Sequence, residues 1–125
     1  MSFFGQLKKY YEGKEHDAIL LDDCKKRLQK AGVFHKVISR IKKICDTGNF
    51  GQINKRHKYY ARKNLGWLKW DDGTRVYFSK FDDDQIVIFT TSGSKNNQDD
   101  DIKEAEKIKD EITKEVDKYE KENKD

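Results

Sequence analysis

The sequence predicts a single α+β domain, in which N-terminal helices pack on a small antiparallel β-sheet and a C-terminal helix closes the chain. Three observations carry that prediction. An apolar stripe at helical spacing runs through residues 34–44. Three short apolar runs separated by Asp-rich turns occupy residues 67–91. Helical spacing then returns behind a triplet of aspartates at residues 99–101. The chain has 125 residues, enough for one core that buries roughly two-thirds of the surface exposed by the unfolded chain. It is 40% charged and 34% hydrophobic with no proline, a composition that would favour disorder if the apolar residues were scattered. Instead they cluster in periodic runs, so the expected domain covers residues 1–116 and residues 117–125 form a charged, frayed tail.

The elements follow in order. Phe3, Phe4, Leu7 and Tyr11 suit one side of a short helix over residues 3–12, interrupted at Gly13. Leu21, Cys24, Leu28 and Ala31 lie at helical spacing and predict a second helix over residues 17–30, stopped by Gly32. In the third helix Phe34, Val37, Ile38, Ile41 and Ile44 form the stripe, with Lys36, Arg40, Lys42 and Lys43 mostly off it. Gly48-Asn49 suits its C-terminal cap. A basic, aromatic stretch without an assigned element follows over residues 52–63. Strands are then expected at 67–70, 74–78 and 85–91, joined through Asp71-Asp72-Gly73 and Asp82-Asp83-Asp84 as an antiparallel meander. The last helix starts near Gln98, where Asp99, Asp100 and Asp101 complement the positive end of its macrodipole. Ile102, Ala105, Ile108 and Ile112 continue its apolar face.

Charge divides the chain. Residues 1–80 carry 19 Lys and Arg against 8 Asp and Glu, a net +11, whereas residues 81–125 carry 8 against 15, a net −7. A basic body with an acidic end is the layout of a nucleic-acid or ribosome binder, and also of many domains charged merely for solubility. Cys24 and Cys45 match no metal or redox spacing and are expected as reduced, partly buried thiols. No apolar run approaches the length of a membrane span, and the first residues lack a signal-peptide profile. The expected location is the cytoplasm.

Five segments occur in a telling order: Arg40-Ile41; Gly48-Asn49-Phe50-Gly51; Gly73-Thr74-Arg75-Val76-Tyr77-Phe78; Gly93-Ser94-Lys95-Asn96-Asn97-Gln98; and Asp101-Ile102-Lys103-Glu104-Ala105. The series resembles the phage-derived, HigB-like addiction-module toxins of the RelE/ParE superfamily over roughly residues 18–112. Their pattern has an R-[IL] helix, a G-N-[FW]-G turn, an R-V-Y-[FY] strand, a G-G-D-K-x-x-Q segment and a D-I-x-x-A helix. Two positions depart from it. Trp67-Leu68-Lys69 stands where the family often has Glu-Leu-Arg, and Ser92-Gly93-Ser94-Lys95 lacks the aspartate of G-G-D-K.

The resemblance implies a type II toxin that cleaves mRNA in the ribosomal A site with the RNA's own 2′-OH as nucleophile. That reaction needs proton transfer at both oxygens and stabilisation of extra negative charge on phosphorus, but no metal or other cofactor. The sequence holds no His/Asp/Glu cluster with metal-ligand spacing. Arg75 is the first candidate for phosphate stabilisation, because a guanidinium is a permanently charged planar fork. Strand alternation puts Tyr77 on the Arg75 face, expected to be exposed, and Val76 and Phe78 on the buried one. Lys69 joins them if the turn register brings it to the same face, and Lys95 matches the lysine of the G-G-D-K pattern. Lys55, Arg56, His57, Lys58, Arg62 and Lys63 form a candidate RNA-binding run, with His57, Tyr59 and Tyr60 able to stack on unpaired bases. A histidine among cations is held toward its neutral form, as a general base requires. Each of these residues also has a plain reading as a solvated surface side chain.

The implied partners are the ribosome with its mRNA and a HigA-like, helix-turn-helix antitoxin that mediates any contact with DNA. Two other readings share the fold. One is a ParE-like toxin that inhibits DNA gyrase without cutting RNA; the other is a decayed member that only binds antitoxin or RNA.

Overall fold

A computed structural model describes residues 3–48, 50 and 56–123. Six strands, β1 (Tyr11–Glu12), β2 (Asp17–Leu20), β3 (His57–Tyr60), β4 (Leu65–Lys69), β5 (Thr74–Phe81) and β6 (Ile86–Ser94), form one sheet in the order β1-β2-β6-β5-β4-β3. Three helices cover it: α1 (Asp22–Lys30), α2 (Phe34–Thr47) and α3 (Gln98–Glu122). The α+β class and the C-terminal helix stand. The sheet is mixed rather than antiparallel, because β2 runs parallel to β6 while every other pair is antiparallel.

Helix α2 forms where its apolar stripe lies. Val37, Ile38 and Ile41 are buried, and burying each side chain contributes about 1.5–3 kcal/mol. The helix stops at Gly48, whose φ of 82° is left-handed and whose amide reaches the Ile44 carbonyl, as expected of a glycine cap. The meander also forms. Gly73 turns at φ 96° between β4 and β5, and Asp82, Asp83 and Asp84 all take left-handed φ between β5 and β6. Aspartate tolerates that region better than most residues.

Four local expectations change. The first segment is a 3₁₀ turn (Phe3–Gln6) followed by β1, not a helix to residue 12. Residues 17–20, read as the start of a helix, form β2, because Asp17 through Leu20 pair with Ile86 through Phe89. The basic stretch contains β3, paired along β4 from His57↔Leu68 to Tyr60↔Leu65. Residues 117–122, expected to fray, remain helical; Tyr119 meets the Phe3 ring edge-on at 5.9 Å.

The sheet is covered on both sides. Helices α1 and α2 pack Cys24, Leu28, Val37, Ile41 and Cys45 against Leu68, Val76, Phe78, Val87 and Phe89. On the opposite face α3 sets Ile102 and Ala105 over Leu65, Trp67 and Tyr77. Farther along, Ile112 and Val116 join Phe4 over Ile19, Ile86 and Ile88. Central strands enclosed on both faces carry near-continuous buried runs rather than alternation, and β6 is buried from Ile86 through Ser92. No helix among the described residues is long and apolar enough to cross a membrane.

Candidate functional site

The register of the β4–β5 hairpin decides which candidates meet. Lys69 lies directly across from Arg75, and Trp67 across from Tyr77. Directly opposed residues of an antiparallel pair share a face, with Cβ atoms ~5 Å apart. Lys69 and Arg75 are therefore neighbours on the α3 side of the sheet, at the end where β4 turns into β5. Lys95 lies next to that turn. Its amide donates to the Gly73 carbonyl at 2.8 Å, and its Cβ sits where it would touch a side chain at Gly73. Three cations thus gather at one end of the sheet. Among the described residues neither Lys69 nor Lys95 forms an ion pair. Arg75 donates from Nη1 to the carbonyls of Trp70 (3.4 Å) and Thr74 (3.0 Å), while its buried Nε has no hydrogen-bond partner among the described residues.

Arg40 on α2 supports this corner from the other side of the sheet. Its guanidinium lies 3.9 Å from the centre of the Trp70 ring and donates from Nη1 to the Lys69 carbonyl. Burial, then the nearby Arg56, lower its pKa, with Asp71 opposing. The Arg40-Ile41 pair marked this residue in the sequence, yet only the fold shows that it fixes the backbone of Lys69.

Two expectations about exposure fail. Tyr77 is fully buried and Arg75 is 7% exposed, so the supposed open Arg/Tyr face is covered. The cause is α3, whose Ala105 and Ile102 pack against the Tyr77 and Trp67 cluster. The Tyr77 hydroxyl finds no hydrogen-bond partner among the described residues, and its pKa is pushed up to about 12, by burial first and then by Asp101. A row of such groups lies on this side: Trp67 Nε1, Arg75 Nε and Tyr77 Oη on the strands, with Asp101 Oδ2 on α3. Burial also raises the Asp101 pKa, against the opposing charge of Arg27 at 3.9 Å.

His57 is likewise a core residue and not part of an accessible basic surface. It pairs with Leu68, packs edge-on against Phe78 at 5.5 Å, and shares a hydrogen bond through Nε2 with the Phe50 carbonyl at 3.0 Å. A carbonyl only accepts, so Nε2 carries the proton. Burial lowers the pKa of the ring, the Phe50 bond opposes that, and Lys80 and Arg40 add to the lowering. Tyr59 is also engaged internally: it stacks on Phe78 at 6.0 Å and donates to Asn64 Oδ1 at 2.9 Å.

The rest of the basic run divides. Lys58 is half-buried opposite Trp67; Arg56, Arg62 and Lys63 are exposed, and Lys63 reaches Glu106 at 3.5 Å. Lys55 lies outside the described residues. The aromatic pair Tyr60 and Trp67, with ring centres 5.5 Å apart, was not singled out together in the sequence because the two belong to different strands. Among the described residues no group of three or more His, Cys, Asp or Glu is arranged to hold a metal ion. No family model, curated protein or solved structure matches the chain.

Proposed function

We propose that this protein is the toxin of a type II toxin–antitoxin module, of the HigB-like RelE/ParE kind, acting as a ribosome-dependent mRNA endoribonuclease in the cytoplasm. The observation that supports it is the cross-strand pairing of Lys69 with Arg75 beside Lys95, a cationic corner whose lysines form no ion pair among the described residues. Phosphoryl transfer to the neighbouring 2′-OH concentrates negative charge on the phosphorane oxygens, and preorganised cations stabilise it there more than in the ground state. In this reading Lys69 holds the phosphate, and the nearly buried Arg75 directly across from it adds positive charge from within the fold. Lys95 gives its ammonium proton to the departing 5′-oxygen as the 2′,3′-cyclic phosphate closes, and the proton of the attacking 2′-OH passes to solvent water. The Lys69 replacement keeps the positive charge of the family's arginine but loses its bidentate fork. A HigA-like antitoxin with a helix-turn-helix would restrain the toxin and connect it to DNA.

One observation favours a second reading. With Tyr77 and His57 both inside the fold, neither phenol nor imidazole is presented at the cationic corner. A toxin that only binds its target, such as a gyrase inhibitor, or a member that has lost activity, needs neither.

The test is induction of wild type, Lys69→Ala and Lys95→Ala, followed by growth and mapping of mRNA ends. These two lysines are preferred to Arg75 because they are more exposed. Growth arrest with cuts inside translated codons, reduced at least tenfold in either variant, is the expected result. Arrest with intact mRNA would shift the assignment to a gyrase-type binder, and undisturbed growth to an inactive member.

A further inference from the structure

Tyr60 is the one exposed large hydrophobic side chain among the described residues, at 48%. It stands on the edge strand β3 and leans over Trp67 with a ring-to-ring tilt of 39°. The two aromatics border a cleft of about 370 Å³ floored by Leu65 of β4 and Ile102 of α3, with Arg62, Lys63 and Glu106 at its rim. An apolar, aromatic-walled slot ringed by cations has the chemistry of a nucleotide-base site, since bases present flat π-faces and carry phosphates on either side. Glu106 would repel phosphate on its own. Its contact with Lys63 offsets that charge, and among the described residues the exposed Arg62 forms no ion pair.

The slot is in line with the cationic corner. Trp67 precedes Lys69 by two residues on the same face, a displacement of ~7 Å along a strand. Lys58, directly opposite Trp67, lies on the same face. A single strand whose phosphate rests at Lys69 and that runs on along β4 would bring a base to the Tyr60–Trp67 cleft.

We infer that the Tyr60–Trp67 cleft is a stacking site for one unpaired RNA base adjacent to the phosphate held at Lys69. The inference rests on the nuclease reading for that phosphate, but stacking itself is measurable without cleavage. Of the three aromatics the sequence offered for stacking, His57 and Tyr59 are engaged internally and Tyr60 alone remains available.

The experiment uses the whole chain and a labelled, uncleavable 2′-O-methyl hexaribonucleotide at low salt, read by fluorescence anisotropy. A companion set of hexamers lacks one base at each position in turn. Tyr60→Ala should weaken binding of the intact hexamer by about tenfold, the scale of one base–aromatic stack. Tyr60→Phe should retain binding. One abasic position should weaken wild type to the same extent and leave Tyr60→Ala unchanged. Binding within twofold of wild type for Tyr60→Ala and for every abasic hexamer would overturn the stacking site; if Lys69→Ala still weakens binding, the phosphate site survives that result and the cleft belongs to an apolar side chain of a protein partner. Conversely, Tyr60-dependent stacking alongside intact cellular mRNA would keep the stacking site and remove the nuclease reading. No detectable binding of the intact hexamer by wild type would overturn the inference as well.

Discussion

Gly93 on β6 offers a sharp test of how α3 sits on the sheet. Gly93 pairs with Arg75, and a Cβ built there would lie 1.8 Å from Asp101 Oδ2 and 2.6 Å from its Cγ. Ordinary contact begins near 3.4 Å, so Gly93→Ala forces the Asp101 carboxylate to retreat by about 1.6 Å. That carboxylate is buried in the first turn of α3, so its displacement loosens the contact of the helix start with β6. Overpacking of this kind costs about 1–3 kcal/mol. Asp101→Ala alone has opposing effects. It loses a long contact to a half-exposed Arg27, of little worth, and it removes a buried oxygen that has no hydrogen-bond partner. The single Asp101 variant should therefore be near neutral, and in its background Gly93→Ala should cost far less. Urea unfolding followed by far-UV circular dichroism on the four proteins of this cycle gives the coupling directly, expected at about 1–3 kcal/mol in favour of the double variant. Additive losses, or a Gly93→Ala midpoint indistinguishable from wild type, would refute the seating of Asp101 on Gly93.

Two further outcomes are expected. Burial holds the His57 pKa below its usual 6.5, so the unfolded chain takes up a proton before the native protein does. Stability should consequently fall as pH drops below about 6.5 and level off once the native ring also protonates, and His57→Gln should flatten that part of the profile. A pH–stability curve unchanged by the substitution would count against the buried ring. Cys24 and Cys45 are fully enclosed, and burial pushes both thiols up to about 12. At pH 8 a thiol reagent should therefore label the native protein at least ~100-fold more slowly than the urea-unfolded chain, because the thiolate is the reactive form. Rapid modification of either cysteine in the native state would contradict the packing of α1 and α2.

Local pattern made some elements readable from the sequence. The Val37–Ile38–Ile41 stripe, the Gly48 stop, the Asp-Gly turn before β5 and the acidic first turn of α3 all depend on residues within a few positions of one another. Their conformations follow from backbone sterics and periodicity, so they survive the absence of tertiary context. The grouping of Lys69 with Arg75 was only conditional, because alternation gives each residue a face while the turn register decides whether those faces coincide.

What depended on partners distant in the chain was not readable. Residues 18–20 carry apolar side chains compatible with a helix; residues 17–20 become β2 because Asp17 finds Ile86, 69 residues later. Histidine 57 looked like a surface base amid cations and is instead sealed by Leu68, Phe50 and Phe78. Tyr77 alternates with Val76 as the sequence requires, but α3 covers its face and leaves its hydroxyl buried. Short-range pattern specifies the α+β class, the central helix, the meander and the charge division, since each is written in neighbouring residues. The tertiary structure alone decided the parallel β2–β6 pairing, the meeting of Lys69 with Arg75 and the covering of Tyr77, because hydrogen-bond register and burial are properties of two surfaces brought together.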